Sequence, residues 1–446
     1  MSVGPARTDA ETSDLPAKES VNIGHWSRRS RIVARLLTVQ FVVQLLSAIT
    51  GFLLIRALPK QEYALFTIAI AIQTALSLFA DSGVNAGLLS IGGRVWQSRV
   101  ELGKIVAAAL RLRAQLGAAA VAIVLPMSLW LLMRNGASWF QAVALSSIAI
   151  AGVYCSAMAA AYGVVTRLHS RYRDIQAVEL GGSIARLGAV ATAVALFLNA
   201  IIATASSALA QVTQYLLVRR QALPLIELPE HDDPNRRAEL LKMVRSQWFF
   251  FAFYALQSQL IVFLISIYGS TAQVADVGAL SRLGILSTAV AAVINQALVP
   301  SFARIHERRA LQNRFLQSLL LVLFAGIAFV VAGYFFSAQI LWVFGPKYHH
   351  LNAELVWMLG SVALGLVLSV VWGLNTARGW LQLTWLMVPL TIATQLLLVL
   401  VLDLSTVRAV VIFAIVSQVP NLLVSLSMTM RGFRTLSNSK ADASVT

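Results

Sequence analysis

Charged residues and cysteine are scarce in this chain of 446 residues. Only 12% of the residues are Asp, Glu, Lys or Arg, against about 25% in a typical soluble protein, while 58% are hydrophobic. This composition excludes a soluble globular protein and indicates an integral membrane protein. The single cysteine, Cys155, excludes an intrachain disulfide and lies among Ala and Ser in an apolar run, which is typical of helix packing.

Catalytic and metal-binding motifs are missing from the sequence as well. It has no phosphate-binding loop, no zinc-protease or serine-hydrolase motif, and no Cys and His residues at metal-ligand spacing. Its six histidines fall in predicted tails and loops. We therefore expect a protein that is not an enzyme, with no metal and no cofactor.

Apolar runs long enough to cross a bilayer account for most of the chain. They fall at roughly 34–55, 64–91, 114–133, 139–165, 180–198, 200–218, 247–268, 277–300, 316–337, 352–376, 380–402 and 407–430. The second run is long enough to contain a turn near Gly83, and only Asn199 separates the fifth run from the sixth, so eleven or thirteen spans stay open as alternatives. The pattern predicts an all-α polytopic membrane protein with about 12 transmembrane helices.

Basic residues are distributed unevenly between the two sides of the predicted bundle. Most of the 35 Lys and Arg residues fall in the tails and in every second loop, and these segments should face the cytoplasm. The opposite, outer side receives only Arg56, Lys60, Arg134, Lys347 and Arg408. Both termini are therefore predicted to be cytoplasmic, and residues 1–30 lack the apolar core of a secretory signal. Topology explains the net charge of +16, so we expect no nucleic-acid partner.

The longest cytoplasmic segment divides the spans into two sets of six. It contains Pro224, Pro229 and Pro234. Two sets of six spans are typical of transporters built from two repeats around a central cavity. The predicted organisation is a disordered cytoplasmic tail at 1–30, an N-terminal six-helix lobe at 31–218, a cytoplasmic linker at 219–246, a C-terminal six-helix lobe at 247–430 and a cytoplasmic tail at 431–446.

Polar residues follow one face of several predicted spans. The first span carries Gln40, Gln44 and Ser47 at helical spacing, the second carries Thr74, Ser77, Asp81 and Asn85, and the eighth carries Ser281, Thr288 and Asn295. Gln257 and Gln259, near the middle of the seventh span, are further candidates. Such residues face protein or a watery cavity, because polar groups in lipid are costly. Interhelical hydrogen bonds are the alternative for any single residue. Several stripes together favour a transport pathway.

Charged residues within or beside the spans are the stronger candidates. Arg186 is predicted near the inner end of span five and Arg282 near the outer end of span eight, with snorkelling to lipid headgroups as the alternative role for both. Arg35 and Arg113 are predicted where spans one and three meet the inner face. Asp81 fits a proton or cation site, a helix-end cap or a partner for a basic residue. The candidates for coupling transport to an ion are Asp81 and Asp276.

Several short segments resemble one transporter family. They are Arg56-Ala-Leu-Pro-Lys-Gln-Glu-Tyr-Ala-Leu-Phe66, Asp81-Ser82-Gly83, Arg94, Gly269-Ser270-Thr271, Val277-Gly278 and Pro300-Ser-Phe-Ala-Arg304. With the two sets of six spans, they resemble the Wzx-like polysaccharide flippases of the multidrug/oligosaccharidyl-lipid/polysaccharide exporter superfamily. The motifs are short and degenerate, while the likeness in layout covers nearly the whole chain.

The resemblance implies a flippase for surface polysaccharide, such as O-antigen, or exopolysaccharide. Its substrate would be an oligosaccharide linked to undecaprenyl pyrophosphate, moved by alternating access across a bacterial inner membrane. The implied partners are this substrate, membrane lipids, the polymerase and other polysaccharide-assembly proteins. The family's cationic cavity would use Arg186 and Arg282, then Arg35 and Arg113, because guanidinium groups pair well with pyrophosphate.

One departure from the family affects the coupling ion. Many relatives place charged residues midway along span seven, where this chain has Gln257, Ser258 and Gln259. A proton and a sodium ion therefore both stay open as the coupling ion.

Three other classes of membrane protein are alternatives. A multidrug and toxin extrusion antiporter would need carboxylates in its cavity, and the first span has none. A membrane glycosyltransferase or polymer ligase would need a sizeable outer loop, and the predicted outer loops are short. A major-facilitator transporter would need its loop signature after span two, which Gly92-Gly93-Arg94 does not match. The flippase is the favoured hypothesis.

Overall fold

The computed structural model describes residues 23–229, 233–284, 302, 305 and 307–442, with the side chains of 23–37, 246, 247, 250 and 436–442 left aside. Within these ranges the regular structure is helical, as the sequence predicts. The N-terminal half contains α1 (Ile23–Ala57), α2 (Lys60–Asp81), α3 (Val84–Val95), α4 (Arg99–Arg134), α5 (Trp139–Leu168), α6 (Tyr172–Leu196) and α7 (Ala200–Ala222). A short 3₁₀ turn at Leu223–Leu225 follows α7.

The C-terminal half continues with longer and shorter helices. They are α8 (Pro234–Tyr268), α9 (Thr271–Ser281), α10 (Arg308–Phe335), α11 (Ser337–Phe344), α12 (Asn352–Ala377), α13 (Met387–Val401), α14 (Val407–Val416) and α15 (Val419–Asp442). Two more 3₁₀ turns lie at Pro346–Leu351 and Thr384–Leu386.

The described residues contain 11 stretches long and apolar enough to cross a membrane. They match the predicted spans in order, except for the eighth. That span was predicted at 277–300, and only its beginning, in α9, lies within the described residues. The chain is thus an all-α, multi-pass membrane protein.

The predicted turn in the second span is confirmed. α2 ends at Asp81, and Ser82 and Gly83 both have positive φ angles, of 36° and 88°. Glycine adopts such an angle without steric cost, and it lets α3 start in a new direction. The second span therefore consists of two helices, α2 and α3.

Helix ends differ from the predicted boundaries because helices continue beyond their apolar parts. α1 already begins at Ile23, inside the predicted disordered tail, and α15 continues to Asp442. The segment around Arg113, predicted as an inner loop, is helical in α4. Most of the predicted linker is helical as well, since α8 begins at Pro234, whose missing N–H suits a first helical position. Asp233 caps this start by accepting a hydrogen bond of 3.0 Å from the Asn235 N–H.

The remaining linker packs against α4. The Glu227 N–H donates to the Arg99 carbonyl over 3.0 Å, and a Cβ atom at Gly103 would overlap the Glu227 carbonyl. Arg236 binds both Glu101, at 2.9 Å, and Glu239, at 3.1 Å. These contacts fix the start of α8 on the N-terminal lobe.

Buried apolar residues form one shared core at one end of the bundle and separate cores at the other. The shared core contains residues of both halves, such as Leu54, Phe66, Ile265, Leu280 and Phe344. This end carries Arg56, Lys60 and Lys347, and is therefore the predicted outer end. At the predicted inner end, one core is built from α3, α4, α5, α7 and α8, and another from α10, α12 and neighbouring residues. The lobes are joined at the predicted outer end.

Hydrogen bonds reinforce this junction. Arg134 donates to the Ile267 carbonyl over 2.7 Å, and the Asn135 amide donates to the Ser266 carbonyl over 3.1 Å. Lys347 donates to the carbonyls of Arg56 and Leu58. The contacts connect the outer ends of α1 and α4 with the C-terminal lobe.

Candidate functional site

A polar cavity of about 270 Å³ lies between α1, α2, α6 and α7, with one residue added from the C-terminal lobe. Its lining consists of Ser47, Thr50, Ile70, Gln73, Thr74, Gly182, Ser183, Arg186, Ser207, Ala210, Gln211, Gln214 and Arg282. We call this space the polar cavity. It is enclosed mainly by the N-terminal lobe.

Helical spacing brings the polar residues of α6 and α7 to one wall. Ser207, Gln211 and Gln214 are separated by four and three residues, so they lie on one face of α7. A Cβ atom at Gly182 of α6 would overlap Gln214, so the glycine permits the close approach of the two helices. The Gln73 amide of α2 donates to the Gln211 side-chain carbonyl over 3.0 Å. These contacts order the amide groups along the wall.

Arg186 and Arg282 supply the positive charge of the polar cavity. Arg282 lies in the turn after α9, with its guanidinium 5.7 Å from the centre of the Phe66 ring. A Cβ atom at Gly51 would lie 3.8 Å from its Cδ atom, so α1 passes close to this side chain. The Nε atom of Arg186 is buried and has no hydrogen-bond partner among the described residues.

The lining residues that the structure describes include no carboxylate. Two guanidinium groups in one polar space without a counter-charge favour an anionic guest, which would accept their hydrogen bonds. Span positions put Arg186 near the inner face and Arg282 near the outer face, whereas the family resemblance put both in one cavity. In the structure both residues line the same cavity.

Hydroxyl groups in the polar cavity donate to their own helices. The hydroxyls of Thr50, Thr74 and Ser183 donate to carbonyls four residues earlier, over 2.7, 2.8 and 2.9 Å. Their protons are thus engaged, while the oxygens keep lone pairs as acceptors. Such oxygens suit the hydroxyl groups of a sugar, whereas the guanidinium groups suit an anion.

Arg113 does not line the polar cavity, contrary to the expectation from the sequence. Its side chain is 1% exposed and forms an ion pair with Asp81. It also donates to the Ala157 carbonyl. Asp81 in turn accepts a hydrogen bond of 3.1 Å from the Asn85 N–H at the start of α3. In the structure Asp81 is therefore both a helix-end cap and the partner of a basic residue.

The other predicted binding residues lie elsewhere. Gln40 and Gln44 are half-buried on α1 and belong to the same face as Ser47, but the polar cavity reaches only Ser47. Gln257 and Gln259 lie on α8, away from the lining, and the Gln259 amide donates to the neighbouring Ser258 hydroxyl over 3.4 Å. The Arg35 side chain lies outside the described residues.

Asp276 lies at the junction of the lobes. Its side chain is 5% exposed, with the Lys60 ammonium at 2.7 Å and the His350 Nε2 atom at 3.1 Å. It thereby connects α2 of the N-terminal lobe with α9 and with the 3₁₀ turn before α12. Its role in coupling to an ion stays a prediction.

Gln73, Gln211 and Gln214 line the polar cavity but were not selected from the sequence. Gln211 and Gln214, with Ser207, form a polar stripe at helical spacing like the stripe on the first span. The pattern was therefore present in span six. Among the residues three or four positions away, Gln73 has only one polar neighbour, Ser77, so it does not form a polar stripe in the sequence. Its hydrogen bond with Gln211 depends on tertiary packing.

An apolar cavity of about 460 Å³ lies between α2 and the C-terminal lobe. Its lining comprises Leu78, Phe251, Tyr254, Gly365, Leu368, Ser369, Trp372, Met387 and Asn421. We call it the apolar cavity. Leu78 and Met387 lie near the predicted inner ends of α2 and α13, so this cavity belongs to the inner half of the molecule.

Comparison with known proteins identifies the fold. No family model matches the chain, and no curated protein matches its sequence. The lipid II flippase MurJ, in an inward closed conformation, is similar in structure with a TM-score of 0.71 and 12% identity, over 91% of this chain and 90% of that chain. A multidrug resistance MATE family transporter of the MOP superfamily, in an inward-facing conformation, gives 0.65 and 15% identity, over 90% and 99%.

A third solved structure is a MOP superfamily transporter from Pyrococcus furiosus, whose binding pocket is described as reversed in polarity. It has a TM-score of 0.54 and 15% identity, and the match covers 91% of this chain and 94% of that chain. All three similar structures are transporters or flippases of one superfamily architecture. The chain therefore has the fold of the MOP-superfamily transporters.

Proposed function

We propose that the protein is a flippase that moves a lipid-linked oligosaccharide from the inner to the outer leaflet of a bacterial inner membrane. One observation carries the proposal. Arg186 and Arg282 line the same polar cavity, and its described lining contains no carboxylate. An anionic group that joins saccharide to lipid, such as pyrophosphate, matches this charge.

The chemistry of arginine supports a pyrophosphate group in particular. Guanidinium groups stay charged and present paired donors that match phosphate oxygens. The buried Nε atom of Arg186 lacks a partner among the described residues, and buried donors are normally satisfied. A phosphate oxygen would satisfy it. The amides of Gln211 and Gln214 and the nearby hydroxyls would then bind the first sugar.

The arrangement of the lobes supports alternating access. The lobes share one core at the predicted outer end and have separate cores at the predicted inner end. Substrate would enter from the cytoplasmic side in this state. Release on the other side requires the shared core to open while the separate cores come together.

A multidrug and toxin extrusion transporter is the second candidate, and the apolar cavity favours it. Phe251, Tyr254 and Trp372 offer aromatic faces of the kind that bind flat, amphipathic compounds. The described lining of this cavity contains no carboxylate to attract a cationic drug. The flippase therefore remains the better supported function.

The proposal is tested by deleting the gene and measuring both extracellular polysaccharide and lipid-linked oligosaccharide in the inner membrane. A flippase predicts loss of polymer while intact lipid-linked units accumulate, and restoration by the wild-type gene. Unchanged polymer and unchanged lipid intermediates, in a strain without a redundant transporter, would contradict it. Increased drug sensitivity instead would favour the second candidate.

A further inference from the structure

A second cavity, of about 280 Å³ and with a mostly apolar lining, lies next to the polar cavity in the N-terminal lobe. Asn85, Ser156, Thr166, Arg167, Glu179 and Gln214 supply its polar lining, together with apolar and small residues. We call it the Glu179 cavity. Gln214 of α7 lines both cavities.

One face of α6 connects the two cavities. Glu179, Gly182, Ser183 and Arg186 follow at intervals of three, one and three residues and therefore lie on the same side of the helix. Glu179 lines one cavity, and the other three residues line the other. The Ser183 hydroxyl donates to the Glu179 carbonyl over 2.9 Å. A carboxylate and a guanidinium thus border neighbouring cavities, about 10 Å apart along the helix axis.

The Glu179 carboxylate has no ion pair or hydrogen bond within the described part of the chain. The charge that acts on it most directly is Arg167 of α5, across its cavity. On α7, Tyr215 and Arg219 both interact with Tyr162 of α5, and none of the three lines the cavity. On α3, the facing polar group is the neutral amide of Asn85. α1 also packs against α6, and the side chains of its basic residues Arg28, Arg29, Arg31 and Arg35 lie outside the described residues.

We propose that Glu179 is a proton-binding site, and that it takes up a proton when an anion occupies the polar cavity. An ionised Glu179 repels an anion held by Arg186 and Arg282, whereas a protonated Glu179 does not. Binding of the anion in the polar cavity and binding of the proton at Glu179 would then be thermodynamically linked. This inference rests on the anion site of the proposed function and adds the ion coupled to it.

Coulomb's law sets the size of the effect. At a separation of about 10 Å and an effective dielectric constant of about 20, one negative charge should change the affinity for a single anionic charge about tenfold. The same factor applies in reverse, so a bound anion raises the proton affinity of Glu179 about tenfold. Thermodynamic linkage requires the two factors to be equal.

The test uses the purified full-length protein and inorganic pyrophosphate as the probe. Dissociation constants are measured from about pH 5 to about pH 9 for the wild type and for Glu179→Gln, which mimics the protonated acid. Pyrophosphate itself ionises over this range, and this affects both proteins equally at each pH. The ratio of the wild-type dissociation constant to the variant dissociation constant therefore cancels that effect. We expect this ratio to rise from about 1 at low pH to at least about 10 at high pH, because pyrophosphate carries more than one negative charge. Asp174→Asn, a matched charge removal on α6 outside both cavities, should show no such rise.

Arg186→Ala separates the two proposals. Pyrophosphate binding that depends on Arg186, with a ratio that stays flat across pH, would overturn the role of Glu179 and leave the anion site intact. Absence of pyrophosphate binding to the wild type would overturn the anion site and the linkage together. A rising ratio with binding that Arg186→Ala abolishes would support both.

A second measurement keeps Glu179 in place, so it does not require a Glu179 variant to fold. Dicyclohexylcarbodiimide reacts with protonated carboxyl groups, and mass spectrometry locates the labelled residue. At a fixed pH, pyrophosphate should increase the labelling of Glu179 in the wild type and leave it unchanged in Arg186→Ala. Equal labelling of the wild type with and without bound pyrophosphate would overturn the proposal.

Discussion

The guanidinium groups of Arg186 and Arg282 have no carboxylate beside them in the described lining of the polar cavity. Replacing either by Ala should reduce surface polymer at least about tenfold, because each removes a charge-assisted contact of about 1.5–3 kcal/mol. Lys should restore part of the activity, since it keeps the charge and loses the paired donors. Polymer is measured beside the abundance of each variant in the membrane.

Arg408→Ala serves as the matched control for these substitutions. Arg408 is exposed near the start of α14 and does not line the polar cavity. Its removal should leave polymer levels unchanged. Wild-type polymer in both Arg186→Ala and Arg282→Ala would remove these residues from the transport pathway.

The Asp81 and Arg113 pair gives a prediction about stability. Arg113 is 1% exposed and Asp81 23%, so Asp81→Asn leaves a buried charge without its partner. We expect a loss of about 3 kcal/mol, visible as a lower thermal midpoint in detergent. Adding Arg113→Met to this variant should recover most of the loss, because the unpaired charge is then removed as well.

The same double variant distinguishes a structural role of Asp81 from ion coupling. If Asp81 only pairs with Arg113 and caps the turn, the double variant should still transport and keep its dependence on the proton gradient. Loss of that dependence in a stable double variant would show that Asp81 couples transport to protons.

Among the elements, α2 and α9 pack closely against each other at Gly278. A Cβ atom at this glycine would overlap the side chain of Thr67. Gly278→Leu should therefore push the two helices apart at the junction of the lobes and lower stability by about 1–3 kcal/mol. Thermal midpoints in one detergent measure the effect.

Gly188 on α6 provides the comparison, since a Cβ atom there meets no atom within 4 Å. Gly188→Leu should keep the wild-type midpoint within error. A Gly278→Leu protein as stable as Gly188→Leu would contradict the close packing of α2 against α9.

The order of the spans and the turn at Gly83 could be predicted from the sequence, because apolar length and glycine act locally. The helix ends could not, since polar turns extend helices past the apolar run, as α8 does from Pro234. The meeting of Arg186 and Arg282 depends on how α6 and the end of α9 pack around α1 and α2. Hydropathy gives no information on that packing.

The pairing of Asp81 with Arg113 was equally hidden in the sequence. It requires α4 to include Arg113, which directly precedes the predicted apolar run at 114–133, and α2 to stop at Asp81. The sequence did suggest a cap and a basic partner for Asp81 as alternatives. Which basic residue would reach it depends on tertiary packing.

At the scale of the whole molecule, the described residues of the two lobes share one apolar core, at the predicted outer end. Contacts such as Arg134 with Ile267 and Lys60 with Asp276 close the predicted outer end. An alternating-access cycle must break these contacts and form new ones at the opposite end. The shape therefore supports a transporter that accepts substrate from the predicted cytoplasmic side.

The central claim is most directly tested by reconstituting the purified protein into vesicles that contain an oligosaccharide linked to undecaprenyl pyrophosphate. The measured quantity is the fraction of this lipid that a membrane-impermeant reagent reaches over time. We predict that the wild type accelerates exposure of the inner pool and that the Arg186→Ala, Arg282→Ala double variant matches protein-free vesicles. A wild-type rate equal to that of protein-free vesicles would contradict the flippase function.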